Sequence, residues 1–187
     1  MGVPHSLNSI TMDPDFNSLL FQRHSIRRYK DEPLDPQSVK QIFEAALLSP
    51  SSKSARPWQF IAVEDSETLK ALGGCKKIGA VSFKTAKLAI VVCADPNASD
   101  VYIEDCAVAA NMMHLQAAAL GIGSCWVQIR NRYSEDGEPA QNMVKALLNI
   151  PDELQVVTIM TFGISDETRK PVDPDKLLWE KVHIGSF

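Results

Sequence analysis

Along this chain apolar residues recur with two periods, and each change of period marks a new element. A helix is predicted from Phe16 to about Arg23. Asp35-Pro36 then supplies an N-cap and a first-turn proline. Val39, Ile42, Phe43, Ala46 and Leu47 follow at helical spacing until Pro50 stops the run. Trp58 to Val63 alternates as a strand, and Ser66 to Leu72 reads as a short helix. Lys87 to Ala94 is a continuous apolar run rich in branched residues, the pattern of a central strand buried on both faces. Tyr102 to Leu120 is alanine-rich and apolar nearly all round, which predicts a buried core helix ending at Gly121. Ser124 to Ile129 and Gln155 to Phe162 read as strands, with a helix from Pro139 to about Leu148 between them. The tail after Gly163 is polar, punctuated by prolines, and carries Trp179 and Phe187.

These elements interleave irregularly, so the fold class is α+β or α/β, with a mixed central sheet flanked by helices. No repeat or Pro/Gly/Ser-rich linker divides the chain. The expected organisation is a loose arm over residues 1–15 and a single domain over 16–187. Two features ask for a second copy. The helix at 102–120 needs cover on every side, and the tail, about 164–187, has little core of its own. Both predict a homodimer in which the helix packs on its twin and the tail embraces the partner. A large monomer core that hides the helix is the alternative.

Composition narrows the function classes. The 187 residues are 45% hydrophobic and 22% charged, and 19 basic against 23 acidic side chains give a net charge of −4. No global basic field attracts nucleic acid. The longest apolar runs are strand-sized, so no membrane partner is expected. The first residues lack the basic start and apolar stretch of a secretory signal, and a cytoplasmic protein is expected. Gly2 followed by Ser6 fits the N-myristoylation pattern, against which stand a chance match or a start at Met12. Cys75, Cys93, Cys106 and Cys125 form no Cys-x-x-Cys pair, which argues against a disulfide framework or a metal site.

Arg23-His24-Ser25-Ile26-Arg27-Arg28 gathers guanidinium forks, an imidazole and a hydroxyl, all suited to phosphate oxygens. In an extended segment positions 23, 25 and 27 share one face. Either this is an anion grip or a solvated basic turn. Ser49-Pro50-Ser51-Ser52-Lys53-Ser54-Ala55-Arg56-Pro57-Trp58 is small and hydroxyl-rich, suited to a flat ligand or to a plain connector. Gly121-Ile122-Gly123 follows a helix and is too short for a dinucleotide fingerprint, so it reads as a helix cap and tight turn. Arg169-Lys170 adds a basic pair after the last strand. Nucleophile-elbow, Walker and His-Glu-x-x-His patterns do not occur. His114 is expected as a core or interface histidine. Lys76, Lys77, Lys84 and Lys87 are expected as a solvated face, with a nicotinamide phosphate contact as the other reading.

Taken in order, these segments resemble the nitroreductase family of FMN-dependent oxidoreductases. Arg23-His24-Ser25-Ile26-Arg27 resembles the family's N-terminal flavin motif, and SPSSKSARPW resembles its Pro-Ser-Ser…Pro-Trp loop. YIEDCAVAANMMHLQAAALGIGSCWV is similar to its long interface helix and following strand, and Lys181 to Phe187 to its C-terminal signature. The resemblance spans about Phe16 to Phe187. It implies an intertwined α+β homodimer with FMN at the interface. It implies that Arg23 and Ser25, with Arg169 or Lys170, hold the FMN phosphate with His24 beside them, and that Arg27 faces the pyrimidine. Pro50, Ser51, Ser52 and Ser54 are implied to come from the other subunit. Backbone amides around Gln128 and Ile129 are implied to lie near the flavin N5. The chemistry is then carried by FMN, with no catalytic side chain. NADH or NADPH reduces it in a ping-pong cycle, and a nitroaromatic, quinone or similar flat small molecule accepts the electrons. The polar loop Arg130 to Gly137 is implied to select substrates. Many members carry asparagine at the position of Ser54 and glutamine at that of Arg56, which puts the Ser54 contact in question. Dehalogenation, flavin cleavage, flavin storage without turnover, and a flavin-free anion binder are the competing readings.

Overall fold

The computed structural model describes residues 15–187. The arm up to residue 14, the Gly2–Ser6 pattern and the Met12 start lie outside the described residues. The helices are α1 (Phe16–Gln22), α2 (Pro36–Leu47), α3 (Ser66–Gly73), α4 (Tyr102–Ala119) and α5 (Ala140–Leu148). The strands are β1 (Trp58–Val63), β2 (Leu88–Ala94), β3 (Ile122–Gln128) and β4 (Gln155–Ile164). Local chemistry sets several boundaries. The Asp35 carboxylate accepts from the Ser38 N–H at 2.9 Å, and Asp65 accepts from the Thr68 N–H at 2.8 Å. Each satisfies one of the orphan donors at a helix start. α4 ends where Gly121 takes a φ of 71°.

The sheet runs β1-β2-β4-β3, with every neighbouring pair antiparallel. The expected mixed sheet is therefore corrected. Parallel neighbours need a crossover that returns the chain to the same end. Here α3 and α5 instead join strands that reverse direction side by side. The one parallel pairing among the described residues is an isolated bridge between Ser25 and Ser124.

β2 is wholly buried and serves both faces. Leu88, Ile90 and Val92 pack with Ile42 and Ala46 of α2 and with Ala109 and Met113 of α4. Ala89, Val91 and Cys93 pack on the other side with Leu69 and Leu72 of α3 and Val144 of α5. α4 is not covered all round within one chain. Glu104, Val108, Asn111 and Ala119 form an exposed stripe along it. The tail from Asp166 onward is exposed apart from Glu167. No helix among the described residues is long and apolar enough to cross a membrane.

Candidate functional site

β3 is an edge strand, and the segment after α1 lies against it. The Ile26 N–H donates to the Ser124 carbonyl at 2.9 Å, and the Lys30 N–H donates to the Ile164 carbonyl at 2.8 Å. The Tyr29 hydroxyl donates toward the Ile26 and Thr161 carbonyls at 2.7 and 3.1 Å, and burial pushes its pKa up. Two glycines make room for this. Gly123 and Gly163 face each other across β3 and β4. A Cβ on Gly123 would lie 2.9 Å from the Ile26 side chain, and one on Gly163 would lie 2.6 Å from that of Tyr29. The sequence reading placed Gly123 in a turn and ended the last strand at Phe162. The ladder runs through both glycines because their missing side chains form the trough that holds Ile26 and Tyr29.

Arg23, at the start of this segment, turns toward α4. Its guanidinium donates to His114 Nε2 at 2.6 Å, and His114 Nδ1 is hydrogen-bonded to the Ser124 hydroxyl. Burial and the nearby Arg23 charge lower the His114 pKa to about 4, so the ring is neutral at ordinary pH. His24 Nε2 donates to the Lys170 carbonyl at 2.8 Å. The Arg27 N–H donates to the Glu167 carboxylate at 3.0 Å, and Arg169 pairs with the same carboxylate. Burial works against it, but these donors hold the Glu167 carboxyl below its ordinary range. Arg23, His24, Ser124, Ser165 and Arg169 line a cavity of about 170 Å³. The Ser25 hydroxyl beside them makes no hydrogen bond among the described residues.

Farther along β3, Gln128 marks a second pole. Its carbonyl accepts from Lys76 Nζ at 2.9 Å. Because ladder groups alternate, the backbone of Ser124, Trp126 and Gln128 faces away from β4. Four residues at about 3.4 Å each separate the poles by about 14 Å. Ile129, the residue after Gln128, is fully buried. Lys76 corrects the expectation of a solvated face, because it is 8% exposed. Its burial, with Arg132 nearby, pulls its pKa down. Lys77 pairs with Glu135, and Lys87 with Asp31.

The serine-rich loop sits elsewhere. The Ser52 N–H donates to Asp105 Oδ1 and the Ser99 hydroxyl donates to Oδ2, both at 2.7 Å. The Arg56 N–H donates to the Ser51 hydroxyl at 2.9 Å. Lys53, Ser54 and Arg56 all take left-handed backbone, with φ of 51°, 54° and 48°. Such conformations persist in non-glycine residues only where surrounding contacts impose them. Pro50 and Ser54 are exposed, while Ser51 and Ser52 are half-buried. Asp105 and His114 are nine residues apart, about 14 Å along α4 at 1.5 Å per residue. Within one chain the loop therefore does not reach the Arg23 cluster.

Sequence reasoning missed Asp105 and Glu167 and gave His114 no partner. The available signal was a carboxylate and an imidazole inside an otherwise apolar helix, where each needs a buried partner.

The model of the "Nitroreductase family" matches residues 20–90 and 76–164. The chain belongs to the nitroreductase family. It is 42% identical to an FMN-dependent nitroreductase from Clostridium difficile, with a TM-score of 0.89 over 91% of this chain and 99% of that one. A Desulfovibrio desulfuricans structure solved in complex with FMN is 25% identical, with a TM-score of 0.69 over 92% and 97% of the two chains. An Archaeoglobus fulgidus relative named "Putative NADH dehydrogenase/NAD(P)H nitroreductase" is 33% identical over 161 residues, 84% of this chain and 89% of that one. In this nitroreductase-family chain, Arg23, His24, Ser25, Arg27, Arg169 and Lys170 gather at one end of β3. Gln128 and Ile129 lie at the other, and Pro50, Ser51, Ser52 and Ser54 lie apart from both.

Proposed function

We propose that this chain binds FMN alongside β3, between the Arg23 cluster and Gln128, and passes electrons from NADH or NADPH to flat small-molecule acceptors such as nitroaromatics or quinones. The observation that carries the reading is the donor set around the cavity at Arg23, His24 and Arg169, with the free Ser25 hydroxyl beside it. The guanidinium groups of Arg23 and Arg169 on the lining of one small cavity are suited to phosphate oxygens. FMN, when bound, supplies hydride uptake from the nicotinamide and its delivery to the acceptor. Arg23 and Ser25, with Arg169 or Lys170, hold the phosphate, and His24 braces the 170 backbone. Arg27 provides positive charge on the pyrimidine side, where negative charge develops on reduction. The outward Gln128 N–H and the Ile129 backbone are assigned to the N5 side.

The loop of Pro50, Ser51, Ser52 and Ser54 completes the site of a partner subunit, because it does not reach the Arg23 cluster of its own chain. The exposed stripe on α4 and the apolar tail residues Leu178, Trp179, Val182, Ile184 and Phe187 are the surfaces a second copy covers. The domain spans 16–187, with the tail belonging to this embrace. The loop from Arg130 to Gly137, tied to the neighbouring segment by the Lys77 N–H to Tyr133 carbonyl bond of 3.0 Å, selects the acceptor. Shortening it is expected to change acceptor preference, and unchanged KM values across an acceptor panel contradict that assignment. FMN titration of Arg23→Gln and Arg27→Gln tests the site directly. Both are expected to weaken binding, and undiminished affinity in both overturns the placement.

A further inference from the structure

We propose that His114 is a positioning residue for the anion site, aiming the Arg23 guanidinium at the flavin phosphate. This rests on the FMN reading and assigns a role to a residue inside α4 that packing alone does not require. Two hydrogen bonds exhaust the ring. Nε2 accepts from Arg23 at 2.6 Å, so the proton is on Nδ1, where it is donated to the Ser124 hydroxyl. With its lone pair already engaged by a cation, this imidazole is not available as a proton acceptor for a substrate. Its use is geometric instead. The ring is 7% exposed and anchored on α4, and Ser124 beyond it also holds Ile26 through its carbonyl. The chain therefore closes a circuit: Arg23 to α4, α4 to β3, and β3 back to the segment that carries Arg23.

Arginine has five N–H groups, and donation to His114 uses one while fixing the plane of the rest. Without an acceptor at 114, the half-buried guanidinium loses a partner in an apolar setting and turns toward water. An anion then has to reorganise it before binding, and affinity falls.

The test compares two ligands that differ only in the phosphate. Flavin-stripped protein is titrated with FMN and with riboflavin, followed by quenching of flavin fluorescence. His114→Leu keeps apolar volume but accepts no hydrogen bond. It is expected to weaken FMN by about ten- to a hundred-fold, the loss of a hydrogen bond to a charged group, and to leave riboflavin unchanged. His114→Gln, whose amide both accepts and donates, is expected to restore FMN binding to within about three-fold of wild type. In Arg23→Gln, adding His114→Leu is expected to cost nothing further, because the two act as one unit. Ser124→Ala is expected to give a smaller loss of the same kind, and it carries the test if His114→Leu does not fold. Equal weakening of FMN and riboflavin, or none, overturns the proposal while leaving the flavin reading intact. Wild-type protein that binds neither ligand overturns the flavin reading and this proposal together.

Discussion

The basic side chains at the candidate phosphate pocket each rest on a second group: Arg23 on His114, His24 on the Lys170 carbonyl, and Arg169 on Glu167. Such bracing reduces what a ligand must reorganise on binding. It also leaves a pH signature. The His114 ring protonates near 6.5 when unfolded and near 4 when folded. Between these values the unfolded state binds more protons, so stability rises with pH there and is lost as pH falls from about 6.5 toward 4. This one group contributes a slope of at most about 1.4 kcal/mol per pH unit. Urea unfolding across that window is expected to show a shallower slope in His114→Gln, and identical slopes contradict the neutral buried ring. A second residue, Asp105, holds the serine-rich loop. Asp105→Ala leaves the Ser52 N–H and the Ser99 hydroxyl without their partner and is expected to cost about 1–3 kcal/mol in urea unfolding. A cost below about 0.5 kcal/mol contradicts that role. The exposed half of this site was legible, because Arg23, Ser25, Arg27 and Arg169 sit in polar segments. The roles of His114 and Asp105 were not, since the partners that tie them to this region, Arg23 and Ser52, lie 91 and 53 residues away in the chain.

Elements were read well wherever periodicity and caps agree. α2 starts at Pro36 behind its Asp35 cap, and β1 and β2 match the alternating and continuous apolar runs. The misses share a cause at Gly123 and Gly163, where glycine signals a turn locally but serves close approach in the folded sheet. Nothing near either residue in sequence reveals that Ile26 and Tyr29 will lie across them. Strand direction was equally hidden, because an intervening helix is compatible with a parallel crossover or with a reversing connection. Gly163→Ala forces a Cβ to within 2.6 Å of Tyr29. It is expected to destabilise by about 1–3 kcal/mol through overpacking, and Gly123→Ala by less, because Ile26 meets the added atom with a methyl group. Equal unfolding midpoints for wild type and Gly163→Ala contradict the trough.

At the scale of the molecule, the surfaces left open share a pattern. The α4 stripe exposes Val108 beside Glu104, Asn111 and Ala119, and the tail exposes Trp179, Ile184 and Phe187, large apolar groups that one chain does not cover. Light scattering is expected to give twice the 20.6 kDa of the chain. Removal of the residues after Ile164 is expected to abolish both the dimer and flavin retention, and a monomer that keeps its flavin contradicts the shared site. The surplus of apolar surface behind the proposed dimer is legible in the sequence; the geometry of such pairing is not, because contact between copies leaves no periodicity in one chain. On the proposed function FMN held along this edge strand takes electrons from a nicotinamide. The visible spectrum of the purified protein, recorded anaerobically before and after NADH or NADPH, tests it most directly. Flavin bands that bleach on addition of either nicotinamide are the expected result. A protein that stays colourless after incubation with FMN, or whose flavin bands persist with both donors, contradicts the account.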